Sequence, residues 1–594
     1  MSKIFIPKEN KVLEYEAGKD LLRILMESDV FVDSPCNGKG TCGKCKVRIL
    51  KGEIPPVSET EEGFLNEEER RSGVRLSCLV IPNGDLSVEI LQTEGKHEVL
   101  STGYLPEFAF KPAISKKVVG IEKPTLQHQI PYEEAICNAL GMDQLDWRIL
   151  TAHKKIEEKM TAVYYDEELI ALEPGDTTDQ LYGVAIDIGT TTVVTALIDV
   201  STGKELATAA MINPQKKFGL DVLTRITYQM EHVEATKKLQ SAIVDGINSL
   251  MEELLEKSGI HRKNIYEIVV SGNCTMLHFL LGIEATSIGV SPYAPVFLRS
   301  KTIPAGDIGI EGAVGARLYA LPSVSAYIGA DIVAGAYVAE LHRTKKNLLF
   351  IDIGTNGEIV LSKGGSLVSC SCAAGPALEG MNISSGMRAA EGAVEEVKIT
   401  EDGIDLQVIG NAEPIGICGS GILSVMKELL RVGLVKKNGA FIKKEKLEPG
   451  DYREDLIRLD GIKRTFVLKN APKELLITQG DVRQVQLAKG AILSGFYALL
   501  NNAGMDMSNL DKVLIAGQFG AHLSPDSLVG TGILPEDVSE KLEYIGNASK
   551  TGAYMALMST QVKRDIEALA NTMDYMELGT TEGYERLFAK SLQF

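Results

Sequence analysis

The chain has 594 residues, is 44% hydrophobic and 24% charged, and carries a formal net charge of −18. Such a length allows several domains with separate cores, and so acidic a surface repels nucleic acid and anionic membranes, which are therefore not expected partners. The sequence contains neither an apolar run long enough to span a bilayer nor an apolar signal segment at its start. Nine cysteines, an odd number with four in one region, argue against a disulfide framework and for a reducing cytoplasm.

The first 94 residues form one small predicted unit of short strands and helices. A hairpin is expected over residues 3–15, followed by a helix over 20–29. A glycine-rich loop with cysteines separates this helix from a predicted strand over 45–54, and LSVEIL predicts a closing strand. Ser58 and Glu61 have the spacing of a capping box at the start of an acidic helix.

Four cysteines of this unit have the spacing of an iron–sulfur site. They follow the pattern C-x5-C-x2-C-x32-C and are Cys36, Cys42, Cys45 and Cys78. The NGKGT segment after the first cysteine lets the backbone wrap tightly and point N–H groups at cluster sulfurs, which tunes the reduction potential. A structural zinc site is the alternative, but zinc sites usually offer two separated ligand pairs, whereas Cys36 and Cys78 are lone ligands. We therefore expect a ferredoxin-type 2Fe-2S cluster of a subgroup outside the plant type, whose first spacing is one residue shorter.

Two segments beyond this unit are less informative. Residues 95–125 lack periodicity and contain three prolines, so we interpret them as a linker. Residues 126–180 alternate helix-like and strand-like pieces around the only tryptophan, Trp147. They predict a small α/β middle domain without a motif that indicates its function.

From residue 181 onward, apolar strands alternate with helical stretches, which predicts an α/β fold, and one element recurs. VAIDIGTTT at 184–192 and LFIDIGTNG at 349–357 each join an apolar strand to another strand through an acidic glycine turn. Glycine permits close backbone approach, turn amides and threonine hydroxyls can hold phosphate oxygens, and the aspartates suit a hydrated Mg²⁺. The repeat predicts two related halves, roughly residues 181–345 and 346–594, that face one another.

Three further segments of this α/β region predict a glycine turn and two helices rich in small residues. LIAGQFGAHL, residues 514–523, predicts a strand, a glycine turn and a helix, in which Gly517 and Gly520 let an adenosine lie against the backbone. YIGADIVAGAYVAEL predicts a small-residue helix with Asp331 near its start, and IGNASKTGAYMAL predicts a second helix able to pack tightly against another. The chain has no G-x-x-x-x-G-K-[ST] motif, which excludes a P-loop.

The segment SCSCAAGPALEGMNISSGMRAAEGAV, residues 369–394, allows two interpretations. Its glycines, with Glu379 and Arg388, fit a loop at a nucleotide or at a partner's cofactor, which the soft sulfurs of Cys370 and Cys372 could approach. Close helix packing around buried cysteines is the alternative. Four other residues are interpreted as buried core groups, namely Cys137, Cys274, His278 and Cys418.

The order of acidic turn, small-residue helix, acidic turn, adenosine turn and small-residue helix resembles the actin, hexokinase and heat-shock ATPase superfamily. Joined to a 2Fe-2S unit, it resembles the reductive activators of corrinoid proteins, which serve corrinoid iron–sulfur proteins and methyltransferase systems of anaerobes. The resemblance extends over nearly the whole chain and includes GNCTMLHFLLG, YIGADIVAG, AAGPALEG with GMRAAEGA, and GDVRQVQLAKGAI. No cysteine follows Cys418, which excludes the subgroup with C-terminal 4Fe-4S motifs.

The resemblance implies a multidomain α/β and α+β chain. Its parts are an N-terminal β-grasp ferredoxin domain, a small α/β middle domain and a C-terminal duplicated ribonuclease-H-like ATPase domain. The implied activity is ATP-dependent one-electron reduction of an inactive cobalt(II) corrinoid protein to cobalt(I), the form active in methyl transfer. The resemblance further implies Mg²⁺ beside ATP, an upstream reductase or ferredoxin as electron donor, and a homodimer.

The resemblance also implies a role for individual residues. The implied metal ligands are the four cysteines named above. The implied catalytic residues are Asp187 and Asp352, which organise Mg²⁺ and water, and Asp331, which orients water. The implied nucleotide-binding residues are Gly189, Thr190, Thr191, Gly354, Thr355, Asn356, Gly375, Glu379, Gly517 and Gly520.

Three other functions fit parts of the pattern. A small-molecule kinase with a redox-sensing 2Fe-2S domain would need a catalytic base in a substrate pocket, and the sequence shows no clear one. A redox switch in which the nucleotide only gates binding would not need hydrolysis. An activator of a dehydratase or other radical enzyme fits poorly, because such activators hold their cluster between two subunits rather than on a separate ferredoxin domain.

Overall fold

The computed structural model describes residues 2–594 except 10, 16–17, 29, 31, 33, 35–37, 39, 41–42, 44, 92–103, 153–155, 461–462, 470–473 and 518–522. Four hydrophobic clusters form the cores of an N-terminal unit, a middle unit and two larger halves. Within the described part of the chain, no helix combines the length and the apolar character needed to cross a membrane.

The N-terminal unit is a five-stranded mixed sheet with short helices against it. Its elements are β1 (Ser2–Ile6), β2 (Lys11–Tyr15), α1 (Leu21–Glu27), β3 (Lys46–Lys51), α2 (Glu59–Glu62), α3 (Glu67–Arg71), β4 (Val74–Leu76) and β5 (Leu86–Ile90). The strand order is β2-β1-β5-β3-β4, with β1 parallel to β5 and the other neighbours antiparallel. This confirms the β-grasp arrangement, and the capping box predicted at Ser58 and Glu61 is present at the start of α2.

The middle unit is a three-stranded antiparallel sheet with two helices. Its elements are β6 (Ile114–Gly120), α4 (Tyr132–Leu140), α5 (Trp147–Ala152), β7 (Lys159–Tyr165) and β8 (Glu168–Pro174), with strand order β6-β7-β8. Strand β6 lies inside the range predicted as a linker, so this unit begins earlier than expected. The reason is Lys116, which interrupts the apolar pattern of the strand. Its ammonium group is buried and donates to Glu173 at 2.5 Å and to the Gln180 carbonyl at 2.8 Å.

The first half is built on a six-stranded sheet. Its elements are β9 (Tyr182–Ile188), β10 (Thr192–Asp199), β11 (Lys204–Ile212), α6 (Val222–Glu231), α7 (Ala235–Ser258), β12 (Ile265–Gly272), α8 (Cys274–Leu280), α9 (Thr286–Gly289), β13 (Lys301–Pro304), β14 (Arg317–Ala320) and α10 (Ala330–Val338). The strand order is β11-β10-β9-β12-β14-β13.

The second half is larger and carries two small extra sheets. Its elements are β15 (Asn347–Ile353), β16 (Gly357–Lys363), β17 (Ser366–Cys372), β18 (Ala393–Thr400), β19 (Gly403–Val408), β20 (Gly416–Ile417), α11 (Gly419–Arg431), β21 (Ile457–Asp460), β22 (Lys463–Lys469), β23 (Leu475–Thr478), α12 (Gln479–Asn502), β24 (Lys512–Ala516), α13 (Pro525–Gly530), β25 (Leu542–Gly546), α14 (Ala548–Met558), α15 (Thr560–Thr572), β26 (Asp574–Tyr575) and α16 (Tyr584–Ser591). Its main sheet has the order β25-β24-β15-β16-β17-β26.

The two main sheets have the same topology over five strands. In each sheet, the strand that ends at the acidic turn is the first of three consecutive antiparallel strands. Two further strands lie parallel to it on its other side. The weak repeat read from VAIDIGTTT and LFIDIGTNG therefore corresponds to a structural duplication. Because both acidic strands end at equivalent positions, their aspartates are available to a common cleft.

Helices α14 and α15 pack against the first half although they belong to the second half in sequence. Helix α14 contacts α10, β9 and β12. Small residues allow this approach, since a Cβ at Gly552 would lie 2.6 Å from the Ala334 Cβ, and a Cβ at Gly183 would lie 2.7 Å from the Leu557 Cδ1. The tight packing predicted for the two small-residue helices is thus against each other. The sequence boundary between the halves is not the spatial one.

Candidate functional site

The turn between β9 and β10 is a tight hairpin held by its neighbours. The Gly189 amide donates to the Thr192 carbonyl at 2.9 Å, and a Cβ at Gly189 would lie 2.8 Å from that oxygen, so the turn requires glycine. The Asn213 side chain donates to the Gly189 carbonyl at 2.8 Å, and the Asn273 side chain donates to the Thr190 hydroxyl at 3.0 Å. The backbone of the first predicted phosphate turn is therefore fixed.

Arg225 on α6 supports the same turn and was not identified from the sequence. Its fully buried guanidinium donates to the Thr190 carbonyl at 2.6 Å and to the Gly219 carbonyl at 2.8 Å. Burial lowers the pKa of Arg225 to about 9. A buried guanidinium that satisfies carbonyl groups is costly to remove, because each carbonyl loses its partner. The sequence signal was slight: one arginine next to Ile226 on a helix of mixed apolar and polar residues.

The corresponding turn between β15 and β16 has fewer restraints. Its Gly354 amide donates to the Asn356 carbonyl at 2.9 Å. Gly517 follows β24 with a φ of +93°, and a Cβ there would lie 2.5 Å from Asp352 Oδ1, which explains the glycine. Gly517 thus lies beside the second aspartate. Gly520 lies outside the described residues.

Asp187, at the end of β9, is held by the start of α14. Its two carboxylate oxygens accept hydrogen bonds from the Ser549 hydroxyl at 2.7 Å and the Asn547 amide at 3.0 Å. The Ser549 hydroxyl is also 2.9 Å from that of Ser271. Burial raises the pKa of Asp187, and the Ser549 and Asn547 hydrogen bonds oppose that rise. Sequence reasoning did not find these two partners, which lie about 360 residues away along the chain.

Asp352 and Asp331 share this region and repel one another electrostatically. Burial, together with the charge of Asp187, raises the pKa of Asp352 to about 7. Burial and the charges of Asp352 and Asp187 raise the pKa of Asp331, the second residue of α10, to about 8. Such mutual destabilisation of charge is expected where carboxylates converge on the place of a cation. The three predicted carboxylates are therefore near enough to interact electrostatically.

Glu358 is a fourth carboxylate of the cleft and was missed. It lies on β16 directly opposite Asp352 in the strand register, and the Ser371 hydroxyl donates to it at 3.4 Å. Burial and then the charges of Asp331 and Asp352 raise its pKa well above the usual range. A glutamate that opens an otherwise apolar strand, right after the second glycine turn, was the available signal.

Glu379 connects the two glycine turns. Its carboxylate accepts a hydrogen bond from the Thr191 hydroxyl at 3.1 Å and another from the Thr355 hydroxyl. It ends a short 3-10 helix, Pro376–Glu379, that starts after Gly375 with a φ of +76°. Burial raises the pKa of Glu379, against the effect of the two threonines and of the Arg388 charge. Of the predicted nucleotide-binding residues, this one unites the halves most directly.

The described residues contain no group of three His, Cys, Asp or Glu side chains close enough to hold a metal ion between them. An Mg²⁺ ion keeps several waters and is commonly held through one or two carboxylates plus substrate phosphates. The carboxylates of the cleft suit that mode of binding, in which water and phosphate complete the coordination.

Two of the four predicted cluster ligands are described, and they are adjacent. The Cys45 and Cys78 sulfurs are 3.3 Å apart, and both residues are buried. The Cys78 hydrogen bond lowers the pKa of the Cys45 thiol to about 7, against the effect of burial. The Ser77 hydroxyl beside them is buried without a hydrogen-bond partner in the described part of the chain. Adjacent buried sulfurs, the lowered pKa of Cys45 and the buried Ser77 hydroxyl fit an iron–sulfur cluster. Cys36 and Cys42 lie outside the described residues.

A buried ion pair supports the strand that leads into Cys78. The Arg75 guanidinium contacts both oxygens of Glu61 at 2.8 and 2.7 Å, and the Leu76 amide donates to the same carboxylate at 3.1 Å. Glu61 thus serves both the capping box and β4. Its pKa is lowered, because the Arg75 hydrogen bond and the backbone donors outweigh its burial.

The cysteines of the 369–394 segment pack in the second half. Cys370 and Cys372 lie on β17 and are buried, and a Cβ at Gly495 would lie 2.2 Å from the Cys372 sulfur. The packing interpretation is therefore confirmed for both. His278 is equally a core residue: its ring accepts from the Val296 amide at 3.1 Å, and burial lowers its pKa. The other cysteines interpreted as buried are buried, namely Cys137, Cys274 and Cys418.

Three family models match consecutive parts of the chain. The 2Fe-2S iron-sulfur cluster binding domain matches residues 4–83. The model described as the RACo middle region matches residues 182–344, and the C-terminal domain of RACo, the ASKHA domain, matches residues 346–594. The last two matches divide the chain where the two halves of the duplication meet in sequence.

Similar proteins extend over the same length. The corrinoid activation enzyme RamQ of Eubacterium limosum is 29% identical over 573 residues, 94% of this chain and 93% of the relative. The [Co(II) methylated amine-specific corrinoid protein] reductase of Methanosarcina barkeri is 25% identical over 452 residues, 70% of this chain and 77% of the relative. A solved structure described as a reductive activator for corrinoid, iron-sulfur protein is 31% identical, with a TM-score of 0.72, and covers 100% of this chain and 98% of its own.

Proposed function

Since the chain belongs to the family of reductive activators of corrinoid proteins, we propose that it reduces the inactive cobalt(II) form of a corrinoid protein to cobalt(I) at the expense of ATP. One electron passes to cobalt(II) for each activation, and ATP with water becomes ADP and phosphate. The observation that carries the proposal is the fusion, in one chain, of a pair of adjacent buried cysteines in a β-grasp unit to a carboxylate-lined cleft between duplicated sheets.

The N-terminal unit is the electron carrier in this proposal. A 2Fe-2S cluster, when bound, supplies single-electron redox chemistry. Cys45 and Cys78 are ligands whose sulfurs are already adjacent. Cys36 and Cys42 are the other two proposed ligands, on the strength of their spacing. Ser77 offers a buried hydroxyl to a cluster sulfur, and such donors stabilise the more negative reduced state.

The cleft is the ATP site in this proposal. The turns at Gly189–Thr191 and at Gly354–Asn356 hold phosphate oxygens, with Gly375 and Glu379 between them, and Gly517 and Gly520 face the adenosine. Asp187 and Asp352 position hydrated Mg²⁺, and Asp331 orients the attacking water. We add Glu358, because it shares the raised pKa and the location of these carboxylates.

ATP matters because the reduction is uphill from ordinary ferredoxin donors. For one electron, a gap of about 59 mV corresponds to a tenfold change in equilibrium constant. A nucleotide shifts such an equilibrium only if it changes the affinity of the activator for one state of its partner. Glu379 supports this coupling, since its carboxylate accepts a hydrogen bond from a turn of each half. A change in the distance between the halves would therefore change these hydrogen bonds.

Three finer statements belong to the same proposal. An upstream reductase or ferredoxin supplies the electron, the protein acts in the cytoplasm, and it does so as a homodimer. The family resemblance supports the donor and the dimer. The reduced-thiol composition of the sequence supports the cytoplasm.

The proposal is tested by mixing the reduced protein with the cobalt(II) form of a corrinoid iron–sulfur protein and recording the cobalt(I) absorption band. We expect cobalt(I) to accumulate with Mg²⁺-ATP and not with Mg²⁺-ADP. C78S should abolish the signal through loss of the cluster, whereas C137S, which changes a buried cysteine of the middle unit, should retain it. Equal cobalt(I) with and without ATP, over several corrinoid proteins, would contradict the proposal.

A further inference from the structure

An apolar surface lies on the outer side of α6 in the first half. Its members are large hydrophobic residues of α6, of the residues that follow it, and of the loop after α9. They are exposed by between 44% for Tyr293 and 100% for Val233. We call this surface the α6 patch, and it consists of Leu223, Met230, Val233, Val290, Tyr293 and Val296.

The α6 part and the α9 part of the α6 patch adjoin at Met230 and Val290 because α6 and α9 pack together. A Cβ at Gly289 would lie 2.7 Å from Ile226 and 3.4 Å from the Met230 Cε, so Met230 adjoins the residue just before Val290. The Ala285 amide donates to the Gln229 side chain at 2.9 Å, which fixes the start of α9 on α6. Leu223 precedes Met230 by two helical turns and therefore lies on the same side of α6.

The size of the α6 patch is that of an interaction site. Single exposed hydrophobic residues are normal on protein surfaces, whereas contiguous apolar patches of several hundred Å² mark sites of association. Six partly exposed large side chains amount to on the order of 600 Å², close to one side of a standard reversible protein–protein interface. Glu231 and Glu234 flank Val233, and Arg299 follows Val296, so the rim carries both signs of charge, as protein interfaces do.

The inner side of the same helix contacts the first phosphate turn. Arg225 donates to the Thr190 carbonyl at 2.6 Å and to the Gly219 carbonyl at 2.8 Å. Asp221, the N-cap of α6, lines a crevice between the halves together with Thr355 of the second turn. A change at the first turn is therefore transmitted to α6 through a direct hydrogen bond, and the second turn borders the same crevice as the start of α6.

We propose that the α6 patch is the docking surface for the cobalt(II) form of the corrinoid protein, and that Arg225 couples this surface to the nucleotide. The inference rests on the proposed function, which requires a partner whose affinity depends on ATP. An obligate copy-to-copy interface buries about 2,000 Å² or more in total, which exceeds twice the area of the patch. A permanent interface would also not depend on the bound nucleotide, so the contact between α6 and the phosphate turn would have no function in it.

The docking surface is tested with L223E and V296E in the full-length protein carrying its cluster. The probes are the cobalt(II) forms of a corrinoid iron–sulfur protein and of a methylamine-specific corrinoid protein, and affinity is measured by titration calorimetry. We expect each variant to bind the recognised probe at least tenfold more weakly than the wild type, because a carboxylate is placed in an apolar contact. L459E, at an exposed leucine of β21 in the second half, is the matched control and should bind like the wild type. Unfolding midpoints of all three variants establish that the fold is retained.

The coupling is tested with R225K, since lysine cannot donate to the Thr190 and Gly219 carbonyls in the fork geometry of arginine. In the wild type, we expect partner affinity to differ at least fivefold between ADP and a non-hydrolysable ATP analogue, and in R225K less than twofold. Hydrogen exchange of the α6 amides in the wild type gives a second measurement that needs no variant. Exchange that is the same with both nucleotides would overturn the coupling.

The remaining outcomes separate the docking proposal from the proposed function. If the wild type reduces a probe and L223E and V296E bind it as tightly, the docking surface is overturned and the function stands. If the two variants change only the self-association of the protein in sedimentation, the surface joins copies of the chain, and the docking proposal is again overturned. If the wild type neither binds nor reduces any corrinoid protein, the proposed function fails and the docking proposal fails with it.

Discussion

The two halves of the cleft have the same strand order but treat their aspartates differently. Asp187 accepts two hydrogen bonds from the start of α14. Asp352 has no hydrogen-bond partner among the residues the structure describes, faces other carboxylates and has a pKa of about 7. The turns differ in the same sense among the described residues, since Arg225, Asn213 and Asn273 fix the first turn. The second turn is held by its own Gly354–Asn356 bond and by the Thr355 bond to Glu379.

The difference between Asp187 and Asp352 shows that duplication and packing have separate effects on the site. Duplication places one carboxylate at each side of the cleft, but the surroundings decide what each carboxylate does. A carboxylate with its acceptor sites filled by protein donors is a structural anchor as well as a ligand. A carboxylate without such donors can interact with water, a cation or phosphate-bound water. Its pKa is raised by burial because no protein hydrogen bond stabilises its charged form. We therefore expect Asp187 to lie on a fixed side of the cleft and Asp352 on the side that responds to ligand.

The largest expected effect is from D352N, which removes the charge on the responsive side. We expect ATP hydrolysis to fall at least 100-fold, about 2.7 kcal/mol in activation free energy, because Mg²⁺ loses a carboxylate that no other group replaces. Protein stability should not fall, since the buried charge is unfavourable without ligand. Phosphate release measured at saturating Mg²⁺-ATP gives the result. D402N, in an exposed turn between β18 and β19, serves as control, and activity within threefold of the wild type in D352N would remove Asp352 from the site.

D187N should lower the free energy of unfolding more than D352N does. Asparagine has one acceptor oxygen, so it cannot accept from both the Asn547 amide and the Ser549 hydroxyl. Asn547 cannot rotate to compensate without losing the hydrogen bond that its oxygen accepts from the Lys550 amide. Leaving a buried donor unpaired costs about 1–3 kcal/mol. Denaturant unfolding of D187N and D352N, compared at pH 8, gives the difference in unfolding free energy. Equal stability of the two variants would contradict the assignment of a fixed and a responsive side.

The pH dependence of stability has a definite sign. Because Asp331 and Asp352 have pKa values of about 8 and about 7 in the folded protein, the native state holds protons that the unfolded chain releases near pH 4. Stability without nucleotide should therefore be greatest below about pH 4 as far as these groups are concerned, and be lost as the pH rises toward about 8. D331N removes part of this loss and should raise the unfolding midpoint by a few degrees more at pH 8 than at pH 5, where less of the loss has occurred. A similar rise at both pH values would show that charge is not the cause.

The smallest expected effect is from E379Q, which leaves one oxygen for two threonines. The carboxylate accepts from Thr191 and Thr355, whereas the glutamine amide nitrogen cannot accept, so one hydroxyl must find another partner. We expect ATP affinity to change about threefold, about 0.6 kcal/mol, and the difference in affinity between ATP and ADP to narrow. Fluorescent nucleotide binding measures both quantities. E391Q, at an exposed neighbour in the same segment, should behave as the wild type.

Much of the fold follows from local patterns. The capping box at Ser58, the strands before both glycine turns and the two small-residue helices depend on interactions within a few residues, so their positions were predictable. The start of the middle unit was not predictable from the sequence. Lys116 is a charged residue of strand β6 whose side chain is buried, and only the folded chain supplies the partners that allow its burial, Glu173 and the Gln180 carbonyl. Glu358 was missed for a similar reason: its partner in the cluster, Asp352, is opposite it only once the hairpin is formed.

The sequence by itself determined the cysteine spacing, the two acidic turns and the order of elements that identifies the family, since each is a property of neighbouring residues. Only the tertiary structure decided which aspartate is anchored and which is free. That outcome depends on α14 crossing to the first half, where Gly552 packs against Ala334 and brings Asn547 and Ser549 to Asp187 from about 360 residues away. Burial and hydrogen bonding between distant segments set the charge state of the site, and no local pattern contains that information.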